Sequence, residues 1–345
     1  MTMLAAILVQ QKTPLIIDEV ELPKHLGVGQ LLVKVHYSGI CGSQLGEIDG
    51  VKGTDKYLPH LLGHEGSAEV VAIGEGVSEV QPGDKVVLHW RKGKGIEGKP
   101  PIYSWKGREV NAGWVTTFNE YAVVSENRVT PLPKGADLQV AALFGCAITT
   151  GFGVVVNNAK LTIGESVVVY GSGGIGLHIL QGAALSGAYP IIAIDRIEGR
   201  LELAKQCGAT HLIHSEKEDL AGAIRRATPL GLDCFIDNTG NPQVIQMGYL
   251  ATKPKGRVIL VGVPNVGNDI VIHSLPLHFG KEIRGSHGGE AEPHIDIPKY
   301  YALLQAGRLS FKECVTDIFP LTEINQAIQA MREGRTKGRC LIQMG

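Results

Sequence analysis

The chain has 345 residues, of which 44% are hydrophobic and 19% charged, with a formal net charge of −1. That length exceeds one hydrophobic core and points to about two domains of a globular protein. The near-neutral balance offers no field for nucleic acid or an anionic membrane, and no apolar run approaches the ~18 residues of a bilayer span.

The N-terminus, "MTMLAAILVQQKTP", lacks a basic n-region, and its apolar stretch is short for a signal peptide. Next come short β-branched runs separated by turn residues. "QLLVKVHYSGI", "SAEVVAIG", "DKVVLHW" and "EYAVVSE" read as strands. Past Cys146 the pattern changes. "SVVVYG", "GIGLHILQGAALSGA", "PIIAID", "EGRLELAKQCGA", "CFIDNTG", "NPQVIQMGYLA" and "RVILVGVP" alternate strand with helix. Such alternation builds a parallel sheet with helices on both faces. Beyond residue 285, "HIDIPKYYALLQAG" and "LTEINQAIQAMREG" read as amphipathic helices, and "GRCLIQM" as a closing strand. The six cysteines, Cys41, Cys146, Cys207, Cys234, Cys314 and Cys340, lie far apart. This argues against a disulfide scaffold and for a reducing compartment, so a cytoplasmic protein is expected.

One glycine motif carries a cofactor signal. Gly171, Gly173 and Gly176 spell G-x-G-x-x-G directly after a β-branched strand and at the start of a helix. The next strand ends at Asp195, near the ~20-residue distance at which this fingerprint expects an acid. Gly171 permits the tight turn, Gly173 a close approach of pyrophosphate, and Gly176 close helix–strand packing. Gly174 and Ile175 stand at the helix N-terminus, where free amides and a partial positive charge favour an anion. Asp195 can accept hydrogen bonds from a ribose diol and would repel a 2′-phosphate, which favours NAD. Arg196 complicates that preference, since an arginine nearby can bind a 2′-phosphate. Arg200 joins the cofactor candidates. The alternative is a glycine-rich turn in a nucleotide-free α/β fold.

A second signal is chemical. "LLGHEGSAEV" sets His64 and Glu65 side by side against a strand. Cys41, in "SGICGSQLG", and Cys146, in "LFGCAITTG", are candidate partners. Two thiolates and an imidazole suit zinc, and three protein ligands leave a fourth position for substrate. Each residue also has a plainer reading. A lone cysteine is usually a small buried hydrophobe, and spacing alone does not pair Cys41 with His64.

Together "GICGS", "GHEGSAEVVAIGEGV", "PGDKVV", "GCAITTGFG", "YGSGGIG" and "VGVP", in this order, resemble the zinc-containing alcohol dehydrogenases of the medium-chain dehydrogenase family. The resemblance covers nearly the whole chain. It implies a β-rich GroES-like catalytic domain, residues 1–147 and 286–345, and a doubly wound Rossmann domain, residues 148–285, with the active site in the cleft between them. It implies that Cys41, His64 and Cys146 ligate one catalytic zinc, with Glu65 behind it as an exchangeable fourth ligand. Ser43 would pass the proton of an alcohol onward. Thr150, Val261, Gly262 and Val263 would contact NAD, and Arg339 its pyrophosphate. Trp90 and Phe118 would wall the substrate cleft, with core packing as the plain alternative for both. A homodimer or homotetramer acting on a small-molecule alcohol or polyol is implied, with no nucleic-acid or membrane partner.

Two departures from the family stand out. Gln44 and Gly46 occupy positions where many members carry an acid and a histidine, which leaves the outer proton relay open. His287, in "GSHGG", is a candidate there, with a plain surface histidine as the alternative. Residues 89–117 contain no cysteine, so the structural zinc of many relatives is expected to be absent. In its place, residues 91–109 carry Arg91, Lys92, Lys94, Lys99, Lys106 and Arg108 against Glu97 and Glu109. Their glycines suggest a flexible loop. It is either a solvated or subunit-contacting segment or a recognition element for an anionic sugar derivative. The rival functions are a zinc-free quinone or enone reductase of the same superfamily and a non-catalytic nucleotide-binding protein.

Overall fold

A computed structural model describes all 345 residues, Met1–Gly345. They form two compact units, one of Met1–Ala147 with Glu292–Gly345 and one of Ile148–Ala291.

The first unit is rich in strands. Strands Thr2–Leu8, Ile16–Glu21, Ile102–Trp105, Arg108–Asn111 and His60–Leu61 close into a barrel. A seven-stranded sheet adjoins it, in the order Val129–Pro131, Lys85–His89, Glu65–Ile73, Gln30–Gly39, Arg339–Gln343 and Val315–Pro320, with Tyr121–Ser125 also paired to Gln30–Gly39. Alternation along Gln30–Gly39 buries Leu31, Val33 and Val35 completely. They join Leu8, Val70, Val86, Leu88, Val124 and Ile342 in one core. The segment from 91 to 109 is not the flexible loop its glycines suggest. Its second half is a hairpin of the barrel, turned at Lys106 (φ 51°) and Gly107 (φ 75°). Two consecutive residues with φ above zero give the turn whose twist matches that of its strands.

The second unit is a six-stranded parallel sheet in the order His211–His214, Ile191–Asp195, Val167–Tyr170, Leu232–Asp237, Thr252–Leu260 and Glu282–Gly285. In chain order this is 3-2-1-4-5-6, the doubly wound arrangement whose direction reverses beside the first strand. Val167–Val169 and Ile191–Ile194 are almost fully buried, as strands covered on both faces must be. The unit continues past residue 285 to Ala291. Asn157 Nδ2 donates to Gly289 O (2.9 Å) and so ties the 288–290 turn to the segment Val154–Ala159.

No single helix is long and apolar enough to cross a membrane. None of the six cysteines is in a disulfide, and all are buried.

Candidate active site

Three separate turns of the first unit bring Cys41, His64 and Cys146 together. Cys41 ends the chain's exit from strand Gln30–Gly39 and caps helix Gly42–Asp49. His64 stands between His60–Leu61 and Glu65–Ile73, next to Gly63, whose φ is 92°. A Cβ at Gly63 would fall 2.2 Å from Thr117 Oγ1, so this turn requires glycine. Cys146 follows the 3₁₀ turn Leu143–Gly145. There the backbone approaches the sheet so closely that a Cβ on Gly145 would meet Leu88 O at 2.2 Å. One donor atom from each of Cys41, His64 and Cys146 lies within 4.8 Å of the others. Both cysteines are about nine-tenths or more buried, at 6% and 5% exposure. Two thiolates and an imidazole gathered this closely fit zinc, and three ligands leave a tetrahedral position open. The thiols act as a pair. A hydrogen bond from Cys146 is the first cause holding Cys41 well below the ordinary thiol range, and Cys146 is pushed well above it. Close by, Ser43 Oγ is buried without a hydrogen-bond partner.

Charged and polar groups support the cluster from behind. Glu65 is fully buried. Its Oε2 forms an ion pair with Arg339 Nη2, and its Oε1 accepts the Ala147 N–H at 3.4 Å. Burial raises the Glu65 carboxyl, and the Arg339 guanidinium opposes that rise. Gly39 makes room for the pair, since a Cβ there would sit 2.7 Å from Glu65 Cδ and 2.9 Å from Arg339 Nη2. Gln44 is likewise buried. Its Oε1 accepts the Cys41 N–H (2.8 Å), and its Nε2 lies against His64 Nδ1, where donor and acceptor roles depend on the ring's tautomer.

In the second unit, the ends of strands Val167–Tyr170 and Ile191–Asp195 carry the residues of the nucleotide fingerprint. Gly171 turns with φ 93°, and a Cβ on Gly176 would lie 2.1 Å from Gly171 O. Gly173 differs, because a Cβ there would touch nothing closer than Arg200 Nη1 at 3.7 Å. The first two glycine roles are thus conformational and steric, while Gly173 faces open space. Gly174 and Ile175 open helix Gly174–Leu185, where backbone N–H groups have no intrahelical acceptor. Asp195 ends its strand with Oδ2 accepting the Ser172 N–H (2.8 Å) and Oδ1 the Ile197 N–H (3.0 Å). Arg200 lies 4.0 Å from Oδ2, and Arg196 is exposed. Asp237, unmarked by any motif, is fully buried and accepts N–H bonds from Thr239 and Gly240. Its carbonyl accepts those of Val261 and Gly262, so it shapes the segment that also carries the exposed Val263. Thr150 is buried in helix Ala147–Gly153.

Comparison with known proteins gives the same architecture. The alcohol dehydrogenase GroES-like domain family matches residues 27–134, and the zinc-binding dehydrogenase family residues 174–306. The S-(hydroxymethyl)glutathione dehydrogenase of Synechocystis sp. is 32% identical over 96% of this chain and 97% of its own. The chain belongs to the zinc-containing alcohol dehydrogenases of the medium-chain dehydrogenase family. It is an NAD-dependent oxidoreductase that transfers a hydride between an alcohol and its cofactor. The benzyl alcohol dehydrogenase of Acinetobacter calcoaceticus has the same fold, with a TM-score of 0.89 and 31% identity over all of both chains. An alcohol dehydrogenase zinc-binding domain protein of Burkholderia ambifaria matches with a TM-score of 0.91 and 29% identity, over 100% of this chain and 99% of that one. Membership sets aside both the zinc-free reductase and the non-catalytic reading.

Within this alcohol dehydrogenase frame, two expected wall residues differ. The Trp90 ring lies 6.4 Å from that of His64, edge to face, and is partly exposed. Phe118 does not wall a cleft. It has no exposed surface and packs in the core with Leu8, Val35 and Leu62. The Arg339 guanidinium pairs with Glu65 and is only 4% exposed. The basic segment is largely partnered. Lys94 pairs with Glu79 (3.0 Å), Lys92 with Glu97 (3.7 Å) and Lys106 with Asp18 (2.6 Å), while Arg91 stacks over Trp90. His287 is exposed at the start of the 288–290 turn.

Proposed function

We propose that this enzyme oxidises a neutral, apolar alcohol with one tightly held zinc per chain, bound by Cys41, His64 and Cys146. The convergence of those three donors beside the unpartnered Ser43 hydroxyl carries the reading. Zinc bound there supplies Lewis acidity that lowers the pKa of a substrate hydroxyl, and NAD supplies the hydride acceptor. Ser43 takes the hydroxyl proton and hands it on. Gln44 orients His64, and Trp90 gives the substrate an aromatic wall. Glu65 and Arg339 set the charge behind the ligands, with Glu65 available for ligand exchange. The amides of Gly174 and Ile175 hold the pyrophosphate, and Asp195 takes the adenosine ribose. Val261, Gly262, Val263 and Thr150 complete the cofactor contacts. The absence of cysteine from residues 89–117 supports a single zinc.

The partnered state of the basic segment favours neutral alcohols over anionic sugar derivatives. Benzyl alcohol, named in one relative, heads the substrate panel, and S-(hydroxymethyl)glutathione, an anionic adduct named in another, is its contrasting arm. Exposed Val266, Val271 and Phe279, in the segment that leads to the edge strand Glu282–Gly285, support a homodimer or homotetramer, and six cysteines without a disulfide support a cytoplasmic location. In a steady-state assay across the panel, kcat/KM should be higher with NAD than with NADP, since Asp195 repels a 2′-phosphate. Equal values would show that Arg196 outweighs it. No NAD reduction with any alcohol, by protein carrying its zinc, would overturn the reading.

Ser43→Ala should lower kcat by ~10²–10⁴-fold, the usual contribution of a proton-transfer group, and leave NAD binding nearly unchanged. Single-turnover kinetics with a normal chemical step would remove Ser43 from the mechanism.

A further inference from the structure

A second convergence of ligand-type side chains lies in the first unit, outside the catalytic cluster. Donor atoms of Glu47, Asp55 and His60 all lie within 4.8 Å of one another. His60 is 7% exposed at the start of its short strand. Its Nδ1 stands 2.9 Å from Leu61 O. A carbonyl only accepts, so Nδ1 carries the ring proton. In the neutral ring Nε2 is then a lone pair, and it points at Asp55 Oδ2 (2.7 Å) and Glu47 Oε1 (3.9 Å). Electron-pair donors aimed at one another repel unless a cation or an added proton lies among them. A histidine whose far N–H is spent on a backbone carbonyl is oriented as metal-ligating histidines are.

Asp55 is held by groups outside the cluster. Its Oδ1 accepts the Tyr57 N–H (2.8 Å), which leaves Oδ2 for the cluster. Gln11 fixes the loop, accepting the Asp55 N–H (3.2 Å) and donating to Gly53 O (3.1 Å). Neither carboxylate has a lysine or arginine within ion-pair distance. The Asp55 side chain is 12% exposed and that of Glu47 45%, so Glu47 forms the open side by which an ion could enter.

We propose that Glu47, Asp55 and His60 bind a divalent transition-metal cation, distinct from the catalytic zinc and exchangeable. Two carboxylates and one imidazole form a donor set suited to Mn²⁺ or Zn²⁺ rather than to thiophilic ions. Its place gives it a task. Glu47 lies on helix Gly42–Asp49, which starts at Cys41, and Asp55 and His60 lie on the segment that ends at His64. A cation there ties together the two stretches that carry two of the catalytic ligands.

The competing reading is a plain ion pair between Asp55 and a doubly protonated His60. Titration of the zinc-loaded enzyme with MnCl₂, read by the loss of the free Mn²⁺ resonance signal, separates the two. One Mn²⁺ should bind per chain. His60→Ala and Glu47→Gln should each weaken binding on the order of 10–100-fold, as removal of metal-site groups does. Zinc already fills the catalytic ligands in this titration, which separates this site from the catalytic one. Glu47 is exposed, so Glu47→Gln keeps the fold even if His60→Ala does not, and Mn²⁺ should raise the Tm of the parent more than that of Glu47→Gln. Absence of stoichiometric binding at millimolar Mn²⁺, or binding by Glu47→Gln equal to the parent's, would establish the ion pair instead.

Discussion

Replacing Cys146 with alanine is expected to abolish tight zinc binding and to lower kcat/KM by about 10³-fold or more. A Lewis acid contributes several kcal/mol to stabilising developing charge, and each 1.36 kcal/mol is about tenfold in rate. The fold should survive, because alanine fits the junction that Cys146 occupies and the core around Phe144, itself fully buried, is untouched. Elemental analysis after dialysis against metal-free buffer should give one zinc per chain for the parent and none for the variant, with unchanged circular dichroism. A variant that retains a full equivalent of zinc would remove Cys146 from the ligand set. The affinity should also fall with acid. The hydrogen bond between the two thiols, with burial, raises Cys146 so that it keeps its proton, while the same bond holds Cys41 low. Zinc must displace that proton, so falling pH favours the metal-free state.

Arg339→Ala is expected to have the largest effect on stability. It strands the fully buried Glu65 carboxylate without its counter-charge, and removal of one partner of such a pair costs about 3–5 kcal/mol. Adding Glu65→Gln should recover a large part of the loss, since no charge then remains buried. The loss should depend on pH with a definite sign. Burial already raises Glu65 above its ordinary value of 4.5, and loss of Arg339 raises it further. A carboxyl with a raised folded pKa favours folding when protonated, and that contribution fades as pH rises through the folded value. The deficit of Arg339→Ala should therefore be smallest in acid and grow toward neutral pH. Urea denaturation at several pH values measures it. A deficit independent of pH, or one below about 1 kcal/mol at neutral pH, would show that the pair does not hold Glu65 charged.

The elements legible in advance were those whose signal is local. Val167–Tyr170, Ile191–Asp195 and helix Gly174–Leu185 follow from β-branched runs, a helical apolar pattern and glycines at fixed offsets. Helix Gly42–Asp49 gave no such warning. Two of its eight residues are glycine, Gly42 and Gly46, and its cap is a cysteine. The hairpin of Ile102–Trp105 and Arg108–Asn111 was hidden the same way, since charge and glycine mask its short strands and closure of the barrel selects them. Phe118 shows the converse, an aromatic whose residue type suits a cleft or a core equally, and only packing assigns it to the core.

The identities of the metal ligands were available from residue types and from resemblance to a family, because thiolate and imidazole chemistry belongs to the side chains themselves. Their meeting was not, nor was the position of anything that supports them. Arg339 lies 274 residues from Glu65, and Gln44 reaches His64 across 20. Nothing between such residues in the chain constrains their distance. It is set by the pairing of Arg339–Gln343 with Gln30–Gly39, by the glycines Gly39, Gly63 and Gly145 that let backbones close up, and by the burial that makes an unpaired charge too costly to leave. The same physics brings Glu47, Asp55 and His60 together without any spacing motif. Composition and periodicity act over a few residues, and here they determined the fold class and the nucleotide fingerprint. Long-range packing determined which of the chemically capable side chains share a site.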